Sequence, residues 1–227
     1  MNNLQKVAGV SAIFEALIYI VAFVYFGAFW AYPSDGTALE KMTYLAENQL
    51  GFSMIYFLMY AVFGVFLAVL VVGLYEKLES TNNLMVKVGS VFGVVWVVLV
   101  IASGMLANIG LSHAINLMDV SAEKAFELWR MILVLIESLG GGNELVGGLW
   151  VLLISLAALR AEEFPRGLNY LGLMVGIAGI ATIFPDEAIT EIFGISQIIW
   201  FVWLGIFMLG QSNTNKSIQP PTNSLAD

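Results

Sequence analysis

Three carboxylates lie within long apolar stretches of the chain. Glu15 interrupts an otherwise charge-free run over 7–32, while Glu137 and Glu144 flank a run of three glycines. Because an isolated charge in hydrocarbon is costly, each carboxylate should face the protein interior, where it finds a partner or takes up a proton. Carboxylates held in this way can bind a cation or relay protons, so all three are candidates for a buried site.

Amide side chains extend the candidate site. Asn143 directly precedes Glu144, and Asn108 lies in another apolar stretch. The predicted site comprises Glu137, Asn143, Glu144, Glu15 and Asn108. In one interpretation, a broken helix lines a polar cavity that binds a cation, a proton or a small polar molecule, as discontinuous helices do in transporters. In the other, Asn108 or Gln197 hydrogen-bonds a protonated glutamate and locks helices together without any ion.

The glycine run 140–142 is the predicted weak point of the helix that carries two of these acids. Each glycine costs about 1 kcal/mol relative to alanine within a helix, so a kink or a break is expected there. On a continuous helix, Glu137 and Glu144 would share one face, roughly 10.5 Å apart along the axis. A break would remove that geometry.

The sequence leaves the function open between three classes. The first is binding or translocation of a cation, proton or small polar molecule. The second is an accessory or scaffold subunit that acts through helix contacts, with a homo-oligomer or a membrane complex as its partner. The third, a membrane-embedded enzyme, is disfavoured because there is one histidine and no HExxH, GxSxG or Walker-type motif. No cofactor is predicted.

Composition indicates which elements position these residues. Apolar residues make up 59% of the 227 residues and charged residues 11%, against roughly half and a quarter in soluble domains. The chain is therefore predicted to be an all-α, polytopic membrane bundle whose main partner is the lipid bilayer. A net charge of −8 argues against nucleic-acid binding, and the absence of cysteine excludes disulfides and thiolate metal sites.

Charge-free runs bounded by charges and turn residues predict six transmembrane helices in one domain over 1–210. The fourth is expected to be kinked or broken at the glycine run. A polar stretch over 34–49 should hold a helical turn or two, and the Asn-, Ser- and Pro-rich tail 211–227 should be disordered. The predicted spans are about 7–32, 50–75, 88–113, 128–159, 168–184 and 191–210.

Basic residues predict the orientation of the bundle, since they concentrate on the cytoplasmic side of a membrane. With both termini in the cytoplasm, only Lys41, Lys124 and Arg130 face outward. The opposite orientation would reverse a two-to-one bias. The cytoplasmic set is then Lys6, Lys77, Lys87, Arg160, Arg166 and Lys216.

The order of features over 137–209 resembles a family of bacterial six-helix membrane proteins of unassigned activity. These features are a glycine-rich fourth span, the loop Phe164-Pro165-Arg166-Gly167, a following helix that opens with Leu171-Gly172, and a final apolar span. The resemblance implies six helices and a location in a bacterial-type inner membrane. It implies no catalytic residues.

Overall fold

The computed structural model describes residues 3–81, 84–139, 144–184 and 186–214, without the side chains at 144, 187 and 211–214. Every regular element in these ranges is a helix, which confirms the all-α prediction. The α-helices are α1 (Asn3–Val24), α2 (Ala38–Glu47), α3 (Gln49–Tyr56), α4 (Phe63–Leu78), α5 (Leu84–Leu117), α6 (Ala122–Ser138), α7 (Glu144–Ala161), α8 (Arg166–Ala181) and α9 (Glu187–Thr214).

Two π-helical segments lengthen the apolar helices. Tyr25–Phe29 extends α1, and Phe57–Val62 joins α3 to α4, so that helix runs without interruption from Gln49 to a short 3-10 turn at Glu79–Thr81. A π-helical turn inserts extra backbone into a helix and is frequent at functional sites. The second segment includes the buried Tyr60.

Four helices, rather than six, are long and apolar enough to cross a membrane. The prediction of six full-length spans is wrong by this criterion, because α7 and α8 are shorter than the roughly 20 residues that hydrocarbon requires. The predicted span 168–184 continues past the end of α8 at Ala181, and the predicted span 128–159 begins inside α6. The four long segments are Asn3–Phe29, Gln49–Thr81, Leu84–Leu117 and Ala188–Gly210.

The predicted fourth span is divided between α6 and α7. Helix α6 begins before this span because Ser121 caps it, its hydroxyl accepting a hydrogen bond from the backbone N–H of Lys124 at 3.3 Å. Both helices pack antiparallel to α5, and the residue numbers of facing residues have nearly the same sum in both pairs. Gly110 of α5 lies against Ile132 of α6, and Gly93 of α5 lies against Trp150 of α7. The two helices thus follow α5 as consecutive pieces, and the glycine run 140–142, where a kink or break is predicted, lies outside the described residues.

Six helices form a closed ring in which each packs on its two neighbours, in the order α1, α4, α5, α7, α8, α9 and back to α1. Neighbours run in opposite directions. For example, Gly9 of α1 lies against Gly205 of α9, and Phe23 lies against Gly194. Helices α4 and α7 also touch across the ring. The ring is therefore a filled bundle whose largest hydrophobic core lies between its helices.

A second, smaller core covers one end of the ring. Helices α2, α3 and α6 pack there on the C-terminal part of α5. Met42, Phe52, Leu111 and Trp129 are buried at the centre of this layer. Helix α2 confirms the helical turns expected in the polar stretch, whereas α9 continues to Thr214, four residues into the predicted tail. The rest of that tail lies outside the described residues.

Candidate functional site

A closed circuit of six aromatic side chains lines the inside of the helix ring. Neighbouring ring centroids along the circuit are 5.4 to 6.4 Å apart, distances at which aromatic pairs stabilise one another. Trp96 and Trp150 are fully buried, and their indole Nε1 atoms have no hydrogen-bond partner among the described residues. In circuit order the residues are Tyr19, Phe63, Trp96, Trp150, Trp200 and Phe201.

Glu15 lies one helical turn from this circuit and is the centre of the candidate site. It follows Phe14, whose ring stacks on Phe66 of α4 at 4.8 Å, and it precedes Tyr19 by four residues. Its exposed fraction is 0%. Neither carboxylate oxygen has a hydrogen-bond partner among the described residues. A carboxylate in this position must bind water, a cation or a proton, because an unsatisfied buried charge is strongly destabilising.

Gln197 of α9 is another fully buried polar side chain of the ring. Neither its amide oxygen nor its amide nitrogen has a partner within the described chain. Since Gly9 lies against Gly205 in this antiparallel pair, Gln197 lies near the level of Leu17. It is thus about two residues, or roughly 3 Å, above Glu15 along the axis.

Three further polar side chains retain unused hydrogen-bonding capacity inside the bundle. Gln5 donates from Nε2 to the carbonyl oxygen of Gly73 at 2.8 Å, but its buried Oε1 accepts no hydrogen bond from the described residues. On α5, the hydroxyl oxygen of Ser103 and the amide oxygen of Asn108 are also buried without a described partner. Gly104, which directly follows Ser103, lies against Tyr60. Ser103 is therefore near the level of Tyr60, and Asn108 lies about one turn further along α5.

The predicted site residues are not gathered at one place. Glu15 and Asn108 lie inside the bundle, while Glu137 is exposed on α6, outside the ring. Glu137 is close enough to Tyr56 for an electrostatic interaction. Because α6 ends before α7 begins, the shared helix face predicted for Glu137 and Glu144 does not exist. Asn143 and the side chain of Glu144 lie outside the described residues.

Sequence reasoning underrated two members of the buried set. Gln197 and Ser103 were recognisable as polar residues within apolar spans, and their burial distinguishes them from His113, which is exposed on α5. Gln5 was missed because it precedes the predicted first span. The signal that would have found it is its helix, which begins at Asn3 and continues into that span.

No protein-family model matches the chain, and neither a curated protein nor a solved structure matches it. The resemblance to the bacterial six-helix family therefore stays a prediction.

Proposed function

We propose that this chain is an integral membrane protein whose helix ring holds one intramembrane binding site, centred on Glu15, for a proton or a cation. The observation that carries the proposal is the complete burial of Glu15 with both oxygens unpartnered within the described chain. A carboxylate that served only to join helices would be expected to hydrogen-bond a neighbouring helix. Its lack of such a bond supports a binding role.

Membrane insertion is part of the proposal and rests on four long apolar helices. We place α7 and α8 in the membrane beside them, because these two shorter helices close the ring. Both termini are proposed to face the cytoplasm. Lys77 of α4 and Glu163, in the connection between α7 and α8, form an ion pair at 3.0 Å. Lys77 therefore lies at the same end of the ring as Arg160 and Arg166, which flank Glu163, and the positive-inside rule favours the cytoplasmic side for all three. The resemblance to bacterial proteins supports an inner membrane.

Infrared difference spectroscopy of the purified protein in lipid nanodiscs tests the site. A pH or cation jump should change the absorption of one carboxyl group in a desolvated environment, in addition to the bands of the exposed carboxyl groups, and Glu15→Gln should remove that one change. Glu137→Gln is the matched control, since Glu137 is exposed on α6. Loss of the signal in the control instead, or no carboxyl signal in the wild type, would overturn the proposal.

Stability separates this proposal from a scaffold role. If Glu15 held helices together, Glu15→Gln would lower the unfolding temperature, because a structural hydrogen bond would weaken. A binding role predicts an equal or higher unfolding temperature, since the substitution removes a buried ionisable group that has no described partner. A marked loss of stability with no change in ligand response would favour the scaffold.

A further inference from the structure

We propose that the ligand of Glu15 is the proton, and that a file of buried polar side chains carries protons to and from it along the ring. This inference rests on the proposed function, because it assigns the substrate and route of the same site. It starts from the way in which the unpartnered groups are distributed. They follow one another along the axis of the bundle, from Gln5 near one end through Glu15, Gln197 and Ser103 to Asn108 near the other.

The inner half of the file lies on α1. Ser11 is buried and precedes Glu15 by four residues, roughly 6 Å along the helix axis. Gln5 lies a further six residues, or roughly 9 Å, toward the N-terminus. Its nitrogen is engaged by Gly73, which leaves its buried oxygen free to accept a hydrogen bond. Gaps of this size are spanned by one or two water molecules.

The outer half of the file passes through three helices. Tyr19 packs edge-on against Phe63, and three residues before Phe63 lies Tyr60, which contacts Gly104 of α5. Ser103 therefore lies about two residues, or roughly 3 Å, beyond the level of Tyr19. Gln197 lies between the levels of Glu15 and Tyr19. Asn108 is four residues beyond Gly104.

The file as a whole has the length of a membrane crossing. From Gln5 to Asn108 the axial distance is roughly 30 Å, at about 1.5 Å per residue, which equals the hydrocarbon thickness of a bilayer. Hydroxyl groups and bound waters donate and accept through the same oxygen and can pass protons along, while the amide groups hold and orient those waters. A carboxylate in the middle of such a file takes up a proton from one side and releases it to the other.

The surroundings of Glu15 favour a proton over a divalent metal ion. Among the described residues, no three histidine or carboxylate side chains lie together, whereas divalent cations are usually held by several such ligands. The other titratable or charged side chains on α1 and the helices packed against it lie at the ends of those helices or are tyrosines. Among the described side chains they are Lys6, Tyr19, Tyr25, Tyr56, Tyr60, Tyr75, Glu76, Lys77 and Glu191.

Proton flux into proteoliposomes, read by an internal pH dye with the membrane potential clamped, tests the route. Gln197→Leu and Ser103→Ala should each slow the flux, on the order of tenfold for one lost hydrogen bond in the path. Ser90→Ala is the matched control on the same helix, because the Ser90 hydroxyl donates to its own helix at Val86 O. It should leave the flux unchanged.

The infrared signal of Glu15 keeps the two proposals distinguishable. In Gln197→Leu and Ser103→Ala the carboxyl should still titrate, because the site itself is intact. If Glu15 titrates but wild-type flux equals that of protein-free vesicles, or is carried by Na⁺, the route is wrong and the site stands. Equal slowing in Ser90→Ala also overturns the route. If the Glu15 carboxyl gives no infrared signal, both the binding site and the proton route are overturned.

Discussion

Gly148 of α7 and Gly176 of α8 face each other so closely that a side-chain carbon on either would lie 2.8 Å from the other's carbonyl oxygen. The two backbones are in contact, which small residues permit between helices in lipid. Gly9 and Gly205 bring α1 and α9 together in the same manner. At two of the six helix interfaces of the ring, backbone atoms of the two helices are thus in contact, without interlocking side chains between them.

Alanine at position 148 or 176 should destabilise the ring, because the added carbon forces α7 and α8 apart. We expect Gly148→Ala and Gly176→Ala each to lower the free energy of unfolding by about 1–3 kcal/mol, as overpacking does. Gly27→Ala is the control, since nothing lies within 4 Å of its added carbon. Reversible unfolding in mixed micelles measures the difference. Equal stability of all three variants would contradict the close contact.

The N-terminus of α2 should depend on pH through Glu40. Its carboxylate accepts hydrogen bonds from the Thr37 backbone N–H at 2.7 Å and the Thr37 hydroxyl at 3.0 Å. These bonds lower the pKa of Glu40 below its ordinary value of 4.5. A lowered folded-state pKa means that the stabilisation is present above the unfolded-state pKa and is lost as pH falls through the folded one.

Hydrogen exchange of the α2 amides, corrected for the intrinsic pH dependence of exchange, measures this effect. Protection in the wild type should decrease as pH falls below about 4.5. In Glu40→Gln, the α2 amides should be less protected at neutral pH, and their protection should not change as pH falls below about 4.5. Glu47→Gln, on the same helix, should behave as the wild type. A pH response that persists in Glu40→Gln would show that another group is responsible.

Reporter fusions test the proposed orientation. Fusions after Leu78, Asp119, Glu162 and Asp186 should report inside, outside, inside and outside in turn. The ion pair between Lys77 and Glu163 requires the first and third sites to share a side. Fusions at Leu78 and Glu162 on opposite sides would contradict the ring, while a uniform inversion would contradict only the charge rule.

The apolar helices could be predicted from the sequence because lipid-compatible runs need no partner to be recognised. The division of the fourth span was harder to place. Helix α6 has an apolar side that covers α5 and a capping serine, both typical of a helix that begins outside the span. The predicted fourth span begins at Leu128, inside α6, and continues into α7. It joins the two helices because it takes no account of the cap at Ser121.

The candidate site shows a different limit. Glu15 and Glu137 give the same signal in sequence, each being an acid in an apolar run, yet one is buried in the ring and the other is exposed. Which face of a helix points inward depends on contacts between distant segments. For α1 these contacts are with α4 and α9, whose register is set by Gly73 and Gly205. No local pattern around Glu15 encodes them.

With the ring inserted in a membrane, as we propose, the unequal lengths of its helices have a consequence for the surrounding lipid. Helices α7 and α8 are roughly 27 and 24 Å long, while the helices opposite them exceed the roughly 30 Å thickness of hydrocarbon. The bilayer becomes thinner beside helices that are shorter than its hydrocarbon core, and helices that are longer than the core tilt. The protein should therefore deform its bilayer asymmetrically and prefer short acyl chains beside α7 and α8.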